Sequence, residues 1–291
     1  MFGRVRRRVR RALTPTEAKP WERGRLVAFL GVALAACLLA VFGLGLAIYY
    51  TLNPGHHSAD AAPANGNGID GPVTQSPRPS SSADPGTQQY AEDMLANKPM
   101  PTVDLSDAQP GAVSTRNPGT LIVPKATATG AAGVPTGFPH TPAGALAQMA
   151  AIDQTAMQSG TLAGVRAVIA QWSSPDGPTV QSWSGVAAMA DFLSSAGLSG
   201  AGSAQLAMVV TPVMGMVKGS VGPDFVVPCV DFQFDVTLNS TQHVAEADCE
   251  RMVWQGSRWV IGPGPEPANP PSVWADTDTA ISVGYKDLRN G

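Results

Sequence analysis

The longest apolar stretch of the chain extends from Leu26 to Leu52. Between Leu26 and Tyr50 there is no charged residue and no proline. A helix of these 25 residues would be about 37 Å long, which exceeds the roughly 30 Å hydrocarbon core of a bilayer. Because a helix satisfies its own backbone hydrogen bonds in lipid, residues 26–52 are predicted to form one transmembrane helix. A cleaved signal peptide is the alternative, but its apolar core would be only about 7–15 residues long.

Three later segments carry apolar residues at helical spacing. The first begins after Thr141, an N-cap residue that is followed by Pro142, and it extends to about Gln158. The second is predicted at 162–172 and the third at about 183–196. Clusters of Ser, Gly and Pro separate them, so the pattern indicates three short helices in succession.

After Gly197 the apolar period changes from 3.6 to 2, which is typical of strands. Strands are predicted at 204–219, 225–238, 243–255 and 258–261. Pro212 predicts a bulge or an edge in the first of them. A short helix that begins at Asp276 or Asp278 is predicted to dock back on the domain. Helices followed by an antiparallel meander predict an α+β fold, with three helices packed on one face of a curved sheet.

The part of the chain that precedes this predicted domain differs from it in composition. Residues 53–137 are rich in Pro, Gly and Ser and are predicted to be a linker, since such a segment buries little apolar surface. Only residues 88–95 have a pattern compatible with a couple of helical turns. The predicted organisation is therefore a tail at 1–25, a membrane helix at 26–52, a linker at 53–137 and a folded domain at 138–291.

Charge is distributed unevenly along the chain. Residues 1–25 carry nine Lys/Arg and two Glu, whereas the remainder is acidic. The positive-inside rule predicts a cytoplasmic N-terminus and an extracytoplasmic C-terminal domain. The basic arm, which comprises Arg6, Arg7, Arg8, Arg10 and Arg11, is interpreted as a contact with anionic lipid. A contact with nucleic acid or a cytoplasmic ATPase is the alternative, but no aromatic residues interleave with the arginines, and no sequence-specific binding of nucleic acid is expected.

Two of the three cysteines are candidates for a disulfide. Cys229 and Cys249 lie ten residues before and after Asn239, the centre of a predicted turn, so antiparallel strands would place them opposite each other. The side-chain alternation puts Cys229 on the polar face, and two free thiols are the alternative. Cys37 lies in the predicted membrane helix. No metal site is predicted, because two cysteines without neighbouring histidines are a poor zinc set.

Motifs of enzymatic chemistry are absent from the sequence. There is no P-loop, nucleophile elbow, HExxH or CxxC, and His140 precedes a helix N-cap, which favours a structural role. Acidic residues alternate with apolar ones on the predicted strands and are interpreted as a solvated sheet face: Asp231, Asp235, Glu246, Asp248 and Glu250. Asp231, Asp235 and Glu246 are predicted to form a partner-binding surface. We expect neither an enzyme nor a cofactor.

The order of three helices and a meander resembles the cone-shaped, nuclear transport factor 2-like superfold. The whole layout, with a basic tail, one membrane helix, a spacer and such a domain, resembles VirB-type inner-membrane scaffold subunits of type IV secretion systems and the TcpC-like conjugation proteins. Stretches similar to actinobacterial membrane proteins of mobile elements are GFPHTPAGA at 137–145, KGSVG at 218–222, VVPCV at 226–230 and WVIGPG at 259–264. These motifs are structural, so the resemblance implies no catalytic or binding residues in this chain.

The resemblance implies a bitopic cell-membrane scaffold in a conjugation or type IV secretion-like DNA-transfer apparatus. Its expected partners are the membrane, other secretion-channel proteins and further copies of itself. The alternative is a membrane-anchored module that binds a lipid or another small hydrophobic molecule, similar to Mce-associated proteins. An apolar cavity that opens to solvent would favour the alternative, whereas a filled core would favour the scaffold.

Overall fold

The computed structural model describes residue 84 and residues 86–291, which form an α+β fold with a curled sheet, as the sequence predicts. The α-helices are α1 (Gln88–Ala96), α2 (Pro142–Gln158), α3 (Leu162–Trp172), α4 (Ser184–Ser195) and α5 (Asp278–Ser282). The strands are β1 (Thr120–Val123), β2 (Ala128–Thr129), β3 (Pro135–Thr136), β4 (Ala207–Val221), β5 (Phe225–Thr237), β6 (Thr241–Cys249), β7 (Met252–Gln255), β8 (Arg258–Ile261) and β9 (Lys286–Asn290). Short 3₁₀ helices lie at Leu105–Ala108 and Ala131–Gly133.

The main sheet has the order β1-β9-β4-β5-β7-β8, and β6 pairs with β5 beside β7. All pairings in this sheet are antiparallel except that of β1 with β9, which is parallel. The register of β4 shifts between Pro212 and Met214, which confirms the predicted bulge. The predicted strand 243–255 is interrupted, since β6 ends at Cys249 and β7 begins at Met252.

Helices α2 and α3 begin at threonine N-caps. The Thr141 hydroxyl accepts a hydrogen bond from the Gly144 amide, and the Thr161 hydroxyl accepts one from Gly164, both at 3.1 Å. A Cβ at Gly144 would collide with the Pro139 carbonyl oxygen, so the tight entry into α2 requires glycine. The starts and ends of these two helices agree with the prediction.

Helices α2, α3 and α4 pack on one face of the sheet, which we call the inner face. Val226, Val230 and Phe232 of β5 meet them there. The largest side chains of this core are almost completely buried: Leu146, Met149, Ile152, Ile169, Trp172, Trp183, Met189, Leu193 and Trp259. The Trp172 indole donates a hydrogen bond of 2.9 Å to the Ala131 carbonyl, which ties the segment before α2 to this core. The inner face is therefore filled by protein side chains.

The opposite, outer face of the sheet is also covered, which the sequence did not indicate. Helix α1 places Ala96 against Phe225, Val227 and the two strand cysteines. Lys218 donates hydrogen bonds of 2.8 Å from its ammonium group to the carbonyls of Ala96 and Lys98. Farther along this face, Val273, Ala280 and Tyr285 pack on Met214.

The linker prediction for 53–137 is therefore wrong for the described residues 86–137. They contain α1, β1, β2 and β3, and β1 is a strand of the main sheet. The cause is that scattered apolar residues such as Ala96 and Val134, both fully buried, obtain their partners from distant segments rather than from a local pattern. The helical turns suggested at 88–95 are present as α1, and the folded domain begins before residue 138.

At the C-terminal end, α5 begins at Asp278, one of the two predicted starts, and Thr277 caps it. The strand β9 that follows was not predicted. In the described part of the chain no helix is long and apolar enough to cross a membrane. The predicted span at 26–52 and the basic arm of Arg6, Arg7, Arg8, Arg10 and Arg11 lie outside the described residues, as does Cys37.

Candidate carboxylate site

Three carboxylates meet on the inner side of the sheet. Asp153 lies in the middle of α2, Asp248 lies at the end of β6, and Glu250 follows the last residue of that strand. One carboxylate oxygen from each side chain lies within 4.8 Å of the others. Asp153 and Glu250 are buried, and Asp248 is half-buried. A helix and a strand end thus bring together groups that are separated by about a third of the chain.

The hydrogen bonds of these carboxylates are unequal. The indole of Trp183 donates a 2.6 Å hydrogen bond to Oε1 of Glu250, and the Cys249 amide donates a 2.8 Å hydrogen bond to Oδ1 of Asp248. Both oxygens of Asp153 are buried and accept no hydrogen bond from any described residue. A buried polar group without a partner is costly, so the carboxylate of Asp153 needs either a proton or a cation.

The electrostatics of the cluster follow from burial and from like charges. Burial, followed by the charge of Glu266, raises the pKa of Asp153 to about 8. Burial and the charge of Asp153 raise the pKa of Asp248 well above its ordinary value. The pKa of Glu250 is raised by burial and by Asp248, against the opposing effect of the Trp183 hydrogen bond. Glu266 also accepts a 2.7 Å hydrogen bond from the Ser184 amide, at the start of α4. Each member therefore disfavours the charge of its neighbours.

Such a cluster can hold protons or bind a hard cation. Carboxylate oxygens are the ligands preferred by Ca²⁺ and Mg²⁺. The sequence pattern predicts no metal site and places Asp248 and Glu250 on a solvated face, and the burial of these two residues corrects that placement. Asp153 had no assigned role. One signal was available: Asp153 lies four residues after Met149 and seven after Leu146, so it shares the buried stripe of α2.

The predicted partner surface of Asp231, Asp235 and Glu246 is not one continuous surface. In the register of β5 and β6, Asp231 lies opposite Ala247, whereas Glu246 lies opposite Phe232. Asp231 therefore points to the outer face and Glu246 to the inner face. Asp231 is 0 % exposed beneath the segment that carries Val273, so its assignment to an accessible surface is wrong.

Asp235 and Glu246 have different surroundings. The Asp235 carboxylate lies 2.6 Å from Nδ1 of His243 on the neighbouring strand, and both side chains are partly exposed. Glu246 is exposed. These two residues lie on opposite faces of the β5–β6 hairpin.

His140 has the contacts of a packed side chain. Its ring stacks on Trp254 with the ring centroids 4.3 Å apart, and its Nε2 lies 2.8 Å from a carboxylate oxygen of Asp224. Trp259, whose indole donates to the Pro139 carbonyl, packs edge-on against the same ring. These contacts hold the segment before α2 against β7 and β8.

Cys229 and Cys249 are directly opposite each other in the register of β5 and β6, and their sulfur atoms lie at disulfide distance. The predicted cysteine pair is confirmed. No bulge intervenes between the two cysteines in this register. Both side chains are buried under α1, which explains why Cys229 can lie on the face that the alternation marks as polar.

Comparison of the chain with protein-family models, with curated proteins and with solved structures finds no match.

Proposed function

We propose that the chain is a bitopic membrane scaffold of a conjugation or type IV secretion-like DNA-transfer apparatus, with its C-terminal domain outside the cytoplasm. In this proposal residues 26–52 cross the membrane, and the α+β domain is a cone-shaped, nuclear transport factor 2-like interaction module. The layout of the chain supports the proposal, as do the four sequence stretches that resemble conjugation-associated membrane proteins.

The observation that favours the scaffold over the lipid-binding alternative is the filled inner face of the sheet. A cone-shaped domain that binds a lipid keeps an open apolar space between helices and sheet. Here Trp172, Trp183 and Trp259, each at most 2 % exposed, occupy that space together with Met149 and Ile152. The geometry therefore supports binding through the outside of the domain.

The exposed edge of β6 is the proposed contact region. Among the described strands β6 pairs only with β5, so its other edge has no strand neighbour. The Ala247 amide on this edge already donates a 2.9 Å hydrogen bond to the Ser272 hydroxyl, so only the backbone groups of the edge without such a bond can pair with a partner strand. Glu246 lies on β6 itself, and Asp235 lies on the adjacent β5 with its carboxylate 2.6 Å from Nδ1 of His243 of β6, so these two residues of the predicted partner surface remain part of the proposal.

The test is co-purification of the full chain from its native membranes after cross-linking. Two differently tagged copies in one cell report self-association, and mass spectrometry identifies other membrane proteins. We expect the wild type to recover both its second copy and components of a secretion channel. Glu246→Lys should lower that recovery several-fold, because it reverses the charge beside the edge.

The matched control is Asp176→Lys, which makes the same charge reversal at an exposed position in the turn between α3 and α4. It should leave recovery unchanged. Equal losses in both variants would contradict a specific role for the β6 edge. Recovery of a stoichiometric lipid without any protein partner would overturn the scaffold and favour the lipid-binding alternative.

A further inference from the structure

We propose that Asp153, Asp248 and Glu250 form a binding site for a hard divalent cation, of the Ca²⁺ or Mg²⁺ type, inside the domain. This inference is independent of the proposed scaffold function. It rests on where the three carboxylates lie and on the oxygens that they leave available.

The first support is convergence from separate parts of the fold. A carboxylate on α2 faces two carboxylates at the end of β6, with one oxygen of each within 4.8 Å of the others. Two ligands on opposite sides of a Ca²⁺ ion lie about 4.6–5.2 Å apart, because each Ca–O distance is about 2.3–2.6 Å. The three oxygens thus fit around one cation.

The second support is independent of that convergence. Asp153 is 5 % exposed, and neither of its oxygens has a hydrogen-bond partner among the described residues. No ion pair to a described Lys, Arg or His involves Asp153, Asp248 or Glu250. A buried carboxylate in this position gains a partner when a cation binds, since both of its oxygens can coordinate the cation.

The third support is that Glu250 and Asp248 each accept a hydrogen bond from the protein through one carboxylate oxygen. Glu250 uses Oε1 for the Trp183 indole, and Asp248 uses Oδ1 for the Cys249 amide. Each of these two carboxylates has a second oxygen that can coordinate a cation, while these hydrogen bonds hold the carboxylate planes, as groups beyond the ligands do in metal sites. Asp248 is half-buried, so a hydrated ion can approach the cluster from its side.

The ligand type selects the class of ion. The cluster offers carboxylate oxygens and contains no Cys sulfur or His nitrogen, which disfavours Zn²⁺ and Cu²⁺ relative to Ca²⁺, Mg²⁺ and Mn²⁺. Three carboxylates supply too few ligands for the 6–8 oxygens of Ca²⁺ unless some bind through both oxygens or water completes the shell. Asp153, with both oxygens available, is suited to two-oxygen binding.

The experiment uses the full chain in detergent, stripped with EDTA and dialysed, and measures its melting temperature at pH 7.5 by circular dichroism. CaCl₂, MgCl₂ and ZnCl₂ are titrated separately against NaCl of matched ionic strength. At about 100 times Kd, Ca²⁺ or Mg²⁺ should raise the melting temperature by roughly 5–10 °C. The same titration followed by tryptophan fluorescence should show a change that Trp183→Phe removes.

Asp153→Asn should weaken cation binding at least ten-fold while keeping the shape of the side chain. Glu250→Gln is the second variant, in case the first does not fold. The matched control is Asp231→Asn, which removes another buried carboxylate with an unpartnered oxygen, but on the outer face of the sheet. It should retain the full cation response.

Absence of any shift with Ca²⁺ or Mg²⁺ in the wild type would overturn the site and indicate that the three carboxyl groups share protons instead. A shift with Zn²⁺ alone would overturn the assignment to a hard cation. A cation response that survives in both Asp153→Asn and Glu250→Gln would place the ion elsewhere in the chain.

Discussion

Replacing Asp93 by Ala should strongly destabilise the domain, because α1 is anchored to the sheet by a buried ion pair. Nη1 of Arg251 lies 3.0 Å from a carboxylate oxygen of Asp93, and the two residues are 2 % and 3 % exposed. The guanidinium also lies over the ring of Phe225, 5.1 Å from its centroid. Arg251 therefore has little access to water that could replace the lost carboxylate.

The magnitude follows from this burial. Removing one partner of a buried ion pair costs about 3–5 kcal/mol, because the other charge stays buried without compensation. At roughly 2–4 °C per kcal/mol for a domain of this size, the melting temperature should fall by about 6–20 °C. The assay is thermal unfolding of the full chain in detergent, followed by circular dichroism.

Two variants sharpen the interpretation. Glu92→Ala removes a carboxylate that lies farther from the guanidinium of Arg251, at 3.9 Å, so it should lower the melting temperature less than Asp93→Ala does. The double variant Asp93→Leu with Arg251→Met replaces the pair by apolar side chains and should regain most of the stability. A fall of less than about 2 °C in Asp93→Ala would refute the anchoring of α1 and return residues 86–97 to a linker.

Two further results are expected. Replacing Cys229 and Cys249 by Ser should lower the free energy of unfolding by about 3 kcal/mol, since a loop of this length is no longer closed in the unfolded chain. Urea unfolding measures this free energy. As a control, a reducing agent should lower the free energy of unfolding of the wild type but not that of the variant. Burial raises the pKa of Asp231 well above 3.8, so the stability that its protonated form provides is complete below that pH and is lost as the pH rises. The free energy of unfolding of Asp231→Asn, measured by urea titration, should therefore rise relative to that of the wild type as the pH increases from 4.5 to 7.5. A difference between the two that does not change with pH would contradict this.

The helices and the central strands could be predicted because their signals are local. Thr141 followed by Pro142 marks the start of α2, and the alternation around Val230 and Phe232 identifies β5 and its inner face. The cysteine pair could be predicted from its symmetric placement about one turn. Each of these features depends only on residues close in sequence.

What could not be predicted depends on segments far apart in the chain. The alternation rule assumes that one face of the sheet meets water. The polar-looking face of β5 instead carries Cys229 beneath α1 and Asp231 beneath the segment around Val273. The carboxylate cluster could not be predicted for the same reason, since neither the pattern of α2 nor that of β6 indicates which helix covers which strand end. Composition alone could not identify the segment before residue 138 as part of the fold, since its apolar residues are few and widely spaced.

The parallel pairing of β1 with β9 has a consequence for the order of folding. Thr120 lies beside Asp287 and Val123 beside Asn290, so β1 finds its place in the sheet only through a strand from the opposite end of the domain. In the main sheet it has no other described neighbour, whereas β9 also joins β4 at Gly215. Such high contact order is slow to form. During synthesis β1 emerges long before β9, so β1 cannot pair in the sheet until β9 has been made. Until then the unpaired backbone of β1 is accessible to chaperones.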